Sequence, residues 1–194
     1  MRIGELPSSL EIGGVDYPIR TDYREALNIF AALADPELDN AEKLYVLLFN
    51  IIEDFEELPP EDYEEAVQQV SWFLDGGMYV SEEERERQAL SPRLLDWEQD
   101  QHMIFSAVNK VAGKEVRSVE YMHWWTFLGL FKEIDEGLFT TVVEIRKKQS
   151  KGQKLEKHER EFVRENLSLV KINQRLHDRV QIYYYSPQTS VIRA

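Results

Sequence analysis

The 194-residue sequence contains no cysteine. That removes disulfides, thiolate zinc sites and cysteine nucleophiles together, and it suits a reducing cytosol. No apolar run approaches the roughly 20 residues of a membrane-spanning helix. The opening MRIGELPSSLEIGG lacks the apolar core of a signal peptide. Basic residues are scarce: 23 Lys and Arg stand against 36 Asp and Glu, a net charge of −13. Nucleic acid and anionic membranes are recognised by basic faces, so neither is an expected partner. There is no P-loop, no G-x-G-x-x-G and no G-x-S-x-G. The glycine pairs Gly13-Gly14 and Gly76-Gly77 read as turns, and there is no internal repeat or low-complexity tract.

What is present is enough chain to bury a core without cross-links, patterned mainly for helices. Residues 6–21 predict a short β-hairpin: Leu10, Ile12, Val15, Tyr17 and Ile19 keep strand spacing around Gly13-Gly14, with Pro18 on an edge. At Asp22 the period changes. Asp22 with Glu25, and later Asp39 with Glu42, mark helix starts of the capping-box kind. The first apolar stripe is Tyr23, Ala26, Leu27, Phe30 and Leu33. The second is Leu44, Leu47, Leu48, Ile51, Ile52 and Phe55, carried to a stop at Pro59-Pro60. A third helix is predicted over Glu61–Leu74, ending at Gly76-Gly77.

Residues 78–92 read as a linker, combining a charge run with the Ser91-Pro92 break. Beyond Pro92 the pattern predicts a helix to about Ala112, one from Ser118 to about Ile134, and one from Gly137 to about Lys148. A hinge-like loop at 149–154 precedes a long charged helix from Leu155 to about Tyr183. In that last helix Leu155, Phe162, Leu169 and Leu176 fall seven apart, with Asn166 and Asn173 between them. The expected fold is therefore mostly α, a bundle of about six helices with a short N-terminal β-hairpin. It comprises a hairpin plus three helices over 1–77, a linker over 78–92 and a C-terminal helical region over 93–194 that forms one compact unit. The acidic run Glu53–Glu65 and the basic stretch Arg146–Lys157 leave a homo-oligomer open, with solvated faces as the plainer reading.

Candidate chemistry centres on residues 95–131. Glu120 and His123 have the E-x-x-H spacing that di-metal carboxylate bundles use twice, together with two further glutamates. One copy is half a motif, and a partly buried helical histidine is the simpler reading of His123. Asp96 and Asp100, four apart, would share one helix face near its start, where carboxylates offset the macrodipole. Glycosidase carboxylates instead face each other across a cleft. The segment His123–Phe131 is apolar nearly all round, as in a buried helix. Trp124, Phe127, Leu128 and Phe131 make one stripe. Trp125, about 100° away, packs in a second layer or stands partly exposed as a partner anchor. Trp97 and Trp72 share that ambiguity.

These blocks, taken together, resemble the bacteriophage Gp-fifteen family. The opening LPSSLEIGGVDYPIRTDYREAL matches a strand, a glycine turn and a run carried here by Tyr17, Ile19, Thr21, Asp22, Tyr23 and Arg24. A second block is Asp96-Trp97-Glu98-Gln99-Asp100, a third is His123-Trp124-Trp125-Thr126-Phe127, and Phe139, Val142, Ile145 and Arg146 follow. The segment between the second and third blocks departs from the family, with Ser106-Ala107-Val108 and Ala112-Gly113-Lys114-Glu115-Val116 where small residues and Gly-Ile-Asp are usual. The resemblance, from about residue 6 to about 175, implies a phage or prophage protein encoded near tail genes. It implies a non-enzymatic tail assembly role, as a chaperone or adaptor binding the tape-measure protein during tail tube growth, in the host bacterial cytoplasm and without a cofactor. The alternatives are a structural virion subunit and a metal-dependent enzyme using Glu120 and His123. The expected contact surface comprises Asp96, Trp97, Glu98, Asp100, His123, Trp124 and Trp125, with the final helix as the other candidate.

Overall fold

The computed structural model describes residues 2–81, 83, 84, 87 and 90–172. The chain first reverses at Gly13-Gly14, whose φ angles of +59° and +76° are those a two-residue type I′ hairpin needs at both central positions. The turn joins β1 (Ser9–Ile12) to β2 (Val15–Pro18), antiparallel with Leu10 opposite Tyr17 and Ile12 opposite Val15. Leu10, Ile12 and Tyr17 are buried, while Val15 beside the turn stays 54% exposed. Pro18 ends its strand opposite Ser9.

Asp22 then caps α1 (Tyr23–Leu33) by accepting the Arg24 N–H. The buried face of α1 is Tyr23, Ala26 and Ile29, with Leu27, Phe30 and Leu33 half-buried beside it. A complete capping box starts α2 (Asn40–Ile51). Asp39 accepts the Glu42 N–H, and Glu42 accepts the Asp39 N–H in return. Helix α2 stops well short of Pro59-Pro60, contrary to the sequence expectation. Its end is claimed by the chain leaving β2: Ile19 and Ile52 form an antiparallel bridge, and Glu53 N–H donates to Pro18 O. The Arg20 guanidinium donates to the carbonyls of Phe49 (2.6 Å), Ile52 (2.9 Å) and Glu53 (3.3 Å). Its own N–H reaches Ile51 O. A cation among orphan carbonyls favours a helix end here, and Ile52 is freed to bury in the core.

Phe55 and Leu58 also turn inward, around a 3-10 turn at Phe55–Glu57. A second 3-10 turn, Pro60–Asp62, leads into α3 (Tyr63–Leu74). Helix α3 packs on β1 and α2. It ends in a Schellman motif: Gly77 N–H donates to Trp72 O and Gly76 N–H to Phe73 O.

The described residues divide into two compact units that meet in the sequence between Ser91 and Pro92. Among the described residues of the second, the regular elements are helices. It contains α4 (Gln101–Ala112), a 3-10 turn (Val116–Ser118), α5 (Trp124–Lys132), α6 (Leu138–Ser150), α7 (Lys157–Glu165) and α8 (Leu167–Val170). Its core is built from Ile104, Val108, Val116, Trp124, Phe127, Val142 and Ile145. With the hairpin, the chain is mostly α as its patterning predicts.

Three further boundaries differ from the sequence expectation. No helix follows Pro92 directly; α4 begins at Gln101, after a turn. The helix expected from Ser118 begins at Trp124. The long terminal helix is interrupted at Asn166, whose φ and ψ of −126° and 38° are not helical. The supposed hinge at 149–154 is a second Schellman end, with Gln153 N–H on Lys148 O and Gly152 N–H on Gln149 O. Asn173, Leu176 and the stretch to Tyr183 lie outside the described residues.

Gly13 is the position where the hairpin tolerates least. A Cβ there would lie 2.6 Å from Asp62 Oδ2, and φ is positive. Gly13→Ala is expected to lower unfolding free energy by about 1–2 kcal/mol, measured by urea denaturation. Gly14→Ala meets no neighbouring atom and is expected to cost less.

Candidate functional site

The Asp-Trp-Glu-Gln-Asp block is a turn. Asp96 organises it by accepting the N–H groups of Glu98 (3.0 Å) and Gln99 (2.8 Å) on Oδ1, an Asx-type capping geometry. Its Oδ2 accepts from Arg93 Nη2 at 2.9 Å. The Asp96 N–H in turn donates to Asp100 Oδ2 at 3.0 Å. The two carboxylates therefore do not share a helix face. One closes the turn and the other stands at the entrance to α4. Both are buried.

Asp100 faces Arg146, from the apolar stripe of α6. Nη1 donates to Asp100 Oδ2 at 2.6 Å and Nη2 to Oδ1 at 2.9 Å, the fork-on-carboxylate arrangement that arginine geometry favours. The remaining donors reach backbone carbonyls: Nη1 to Leu94 (3.0 Å), Nη2 to Leu169 (2.6 Å) and Nε to Val170 (2.9 Å). All five guanidinium N–H groups are thus used. The side chains are 4% and 0% exposed. A buried charge is tolerated only with a partner and full hydrogen bonding, and both conditions are met. The arrangement draws the segment before α4, the middle of α6 and the whole of α8 to one point. It also accounts for the interruption at Asn166, because the chain must turn to present the carbonyls of Leu169 and Val170. Gln99 Nε2 adds a bond to Lys171 O at 2.8 Å.

On the aromatic side, His123 is the N-cap of α5, not a residue within it. Its Nδ1 accepts the Trp125 N–H at 3.0 Å, which places the ring proton on Nε2. Glu120 is exposed and lies before the helix, so the E-x-x-H spacing does not put both groups on one helical face. Among the described residues, no group of three or more His, Asp or Glu is arranged to hold a metal ion. Trp124 is buried and stacks on Phe127 at 5.9 Å. Trp97 packs on Phe131 at 4.9 Å, and Phe131 on Phe139 at 5.7 Å. Trp125, half-buried, meets the His123 ring edge-on at 6.1 Å.

The seven residues singled out from the sequence therefore separate. Asp96, Asp100, His123 and Trp124 are interior. Trp97 and Trp125 are half-buried, and Glu98 is exposed. Arg146, the hub, was legible only as the end of the block Phe139, Val142, Ile145, Arg146 and the start of a basic stretch. The three carbonyls it binds carry no sequence signal at all.

Two further ion clusters hold this unit's edges. Glu115 accepts from the Arg117 guanidinium (2.7 and 2.8 Å), the Arg117 N–H and Asn109 Nδ2. The Arg117 side-chain bonds first, and its backbone N–H second, lower the Glu115 pKa to about 2. Lys148 donates to Glu159 at 2.6 Å, joining α6 to α7. That bond raises the lysine pKa and lowers the glutamate's.

The structure is that of a mostly helical protein whose polar cluster is turned inward. The family model described as Bacteriophage Gp15 protein matches residues 3–172, and the chain belongs to that family. No curated protein and no solved structure matches it significantly.

Asp100→Asn keeps the shape but leaves Arg146 buried without a counter-charge. It is expected to cost about 3–5 kcal/mol in chemical denaturation. Arg146→Lys offers three donors for five acceptors and should not be milder. The carboxylates also set a pH dependence. Glu115 and Glu159 are stronger acids folded than unfolded, so their stabilisation is complete above their ordinary value of 4.5 and is lost as pH falls below it. Lys148 adds stability that is present below 10.5 and lost as pH rises past it. A thermal midpoint that falls between about pH 5 and pH 2, less steeply in Glu115→Gln, is the expected result.

Proposed function

We propose that the protein is a non-enzymatic tail assembly factor, a chaperone or adaptor that binds the tape-measure protein during tail tube growth. What carries this reading is the fate of its most reactive-looking groups. Asp96, Asp100 and Arg146 bond to the protein's own backbone, to one another and to Arg93, and His123 Nδ1 caps a helix. A rigid scaffold with a half-buried tryptophan at its surface suits recognition better than catalysis. The contact face is Trp125 with Trp97 and Glu98. A half-buried indole is a common binding hot spot, and an apolar helix laid against it would gain area without ordering a loop.

Co-expression of the protein with the tape-measure protein of the same phage tests this. The wild-type chain should keep the tape-measure protein soluble and co-purify with it. Trp125→Ala should keep the wild-type thermal midpoint to within a few degrees, equivalent to about 1 kcal/mol, and lose co-purification. Retained binding by a folded Trp125→Ala/Trp97→Ala double variant would refute the contact face. No effect of the wild-type chain on the tape-measure protein would refute the role. Mass spectrometry of purified particles should find the protein missing, whereas a structural virion subunit would be present.

A further inference from the structure

The first unit carries a surface that this proposed role does not use. Tyr45 and Phe49, one turn apart on α2, are 52% and 41% exposed. Their rings stack at 5.2 Å with 13° between planes. Phe55 supports them from beneath, edge-on at 5.5 Å to Tyr45 and 6.5 Å to Phe49, and it touches Tyr63 at 5.7 Å. A packed aromatic stack open to solvent is a fixed π surface.

Its neighbours in sequence are acidic, with Arg20 the one cation placed against it among the described residues. Glu53, Asp54, Glu56 and Glu57 flank Phe55 in sequence and are exposed, and none has an ion pair among the described residues. From Leu44 to Glu84 the chain has no lysine, arginine or histidine. The Phe49 ring already accepts one cation: the Arg20 guanidinium sits 5.7 Å from its centroid. Aromatic faces ringed by carboxylates attract ammonium and guanidinium groups, through the ring quadrupole and through charge.

The same chain carries the complement. Around the end of α6 and the start of α7, Lys147, Lys151, Lys154 and Lys157 are exposed. Among the described residues they make no ion pair, because Glu159, the nearby buried carboxylate, is already taken by Lys148. Four exposed ammonium groups on one helix-turn-helix junction match four exposed carboxylates beside two partly exposed rings.

We propose that the aromatic-acidic face of one copy takes the lysine-rich α6–α7 junction of a second copy. The lysine stems would lie along Tyr45 and Phe49, with their ammonium groups among Glu53, Asp54, Glu56 and Glu57. The two faces differ, so the contact is head-to-tail. A pair joined by one such contact keeps one free acidic face and one free lysine face, through which further copies can add.

Sedimentation velocity of the full chain over about 5–200 µM tests this at about 50 and 500 mM salt. Electrostatic contacts weaken as the screening length shortens. The weight-average mass should rise with concentration at low salt and return to that of one chain at high salt. Tyr45→Ser/Phe49→Ser should weaken association by roughly tenfold. Two charge-reversed variants make the test specific: Glu53→Lys/Glu56→Lys/Glu57→Lys and Lys151→Glu/Lys154→Glu/Lys157→Glu. All these residues except the two aromatics are fully at the surface, and each variant's fold is checked by its thermal midpoint. Each reversed variant alone should remain a single chain, since both its faces then carry one sign. An equimolar mixture should associate again. A wild-type mass independent of concentration overturns the proposal. So does association that persists in either reversed variant, or a mixture that stays monomeric.

Discussion

The second unit depends on one cation. Arg146 ties together the Asp96–Asp100 turn, helix α6 and the α8 segment, and it uses every donor it has to do so. A guanidinium buried this deeply would be a severe liability with even one donor unmatched. Five matched donors turn that liability into specificity. The alternative packings of α4, α6 and α8 leave a charge without water or partner, so they are excluded far more sharply than apolar contacts alone would exclude them. Much of the surrounding geometry follows. Asp96 must cap the turn so that its own N–H and Asp100 point inward, and Asn166 must break the terminal helix so that two carbonyls face α6.

The first unit meets a related need with different parts. Arg20 also gathers backbone carbonyls, but at the end of α2 and partly in solvent. There it lets Ile52 leave the helix and pair with Ile19. In both units an arginine terminates or redirects a helix by donating to its orphan carbonyls, a task for which no glycine or proline is present at those positions.

This economy bears on function. Membership of the Bacteriophage Gp15 protein family makes the chain a phage protein. Among the described residues, no helix is long and apolar enough to cross a membrane. The polar residues most suggestive of chemistry are interior supports. What is partly exposed is half-buried indole on one unit and an aromatic stack with acidic neighbours on the other, the two surfaces proposed for contact.

The sequence alone determined the local structure wherever neighbours in the chain decide it. The Gly13-Gly14 reversal, the Asp22 and Asp39 caps, the Gly76-Gly77 end and the buried stripe of α6 all rest on interactions spanning a few residues, and they were legible for that reason. The mostly helical class followed from the same periodicities. Tertiary structure decided where helices give way to other partners. Helix α2 was expected to run to Pro59, but Arg20, some thirty residues earlier, ends it. The helix from Leu155 was expected to be continuous, but Arg146 draws two of its carbonyls away. The same distinction separates the candidate site residues. Asp96 and Asp100 look identical in a pattern four residues apart, yet one closes a turn and the other neutralises a buried arginine 46 positions away. Spacing along a helix cannot reveal that, because the partner that gives Asp100 its role is brought to it only by folding.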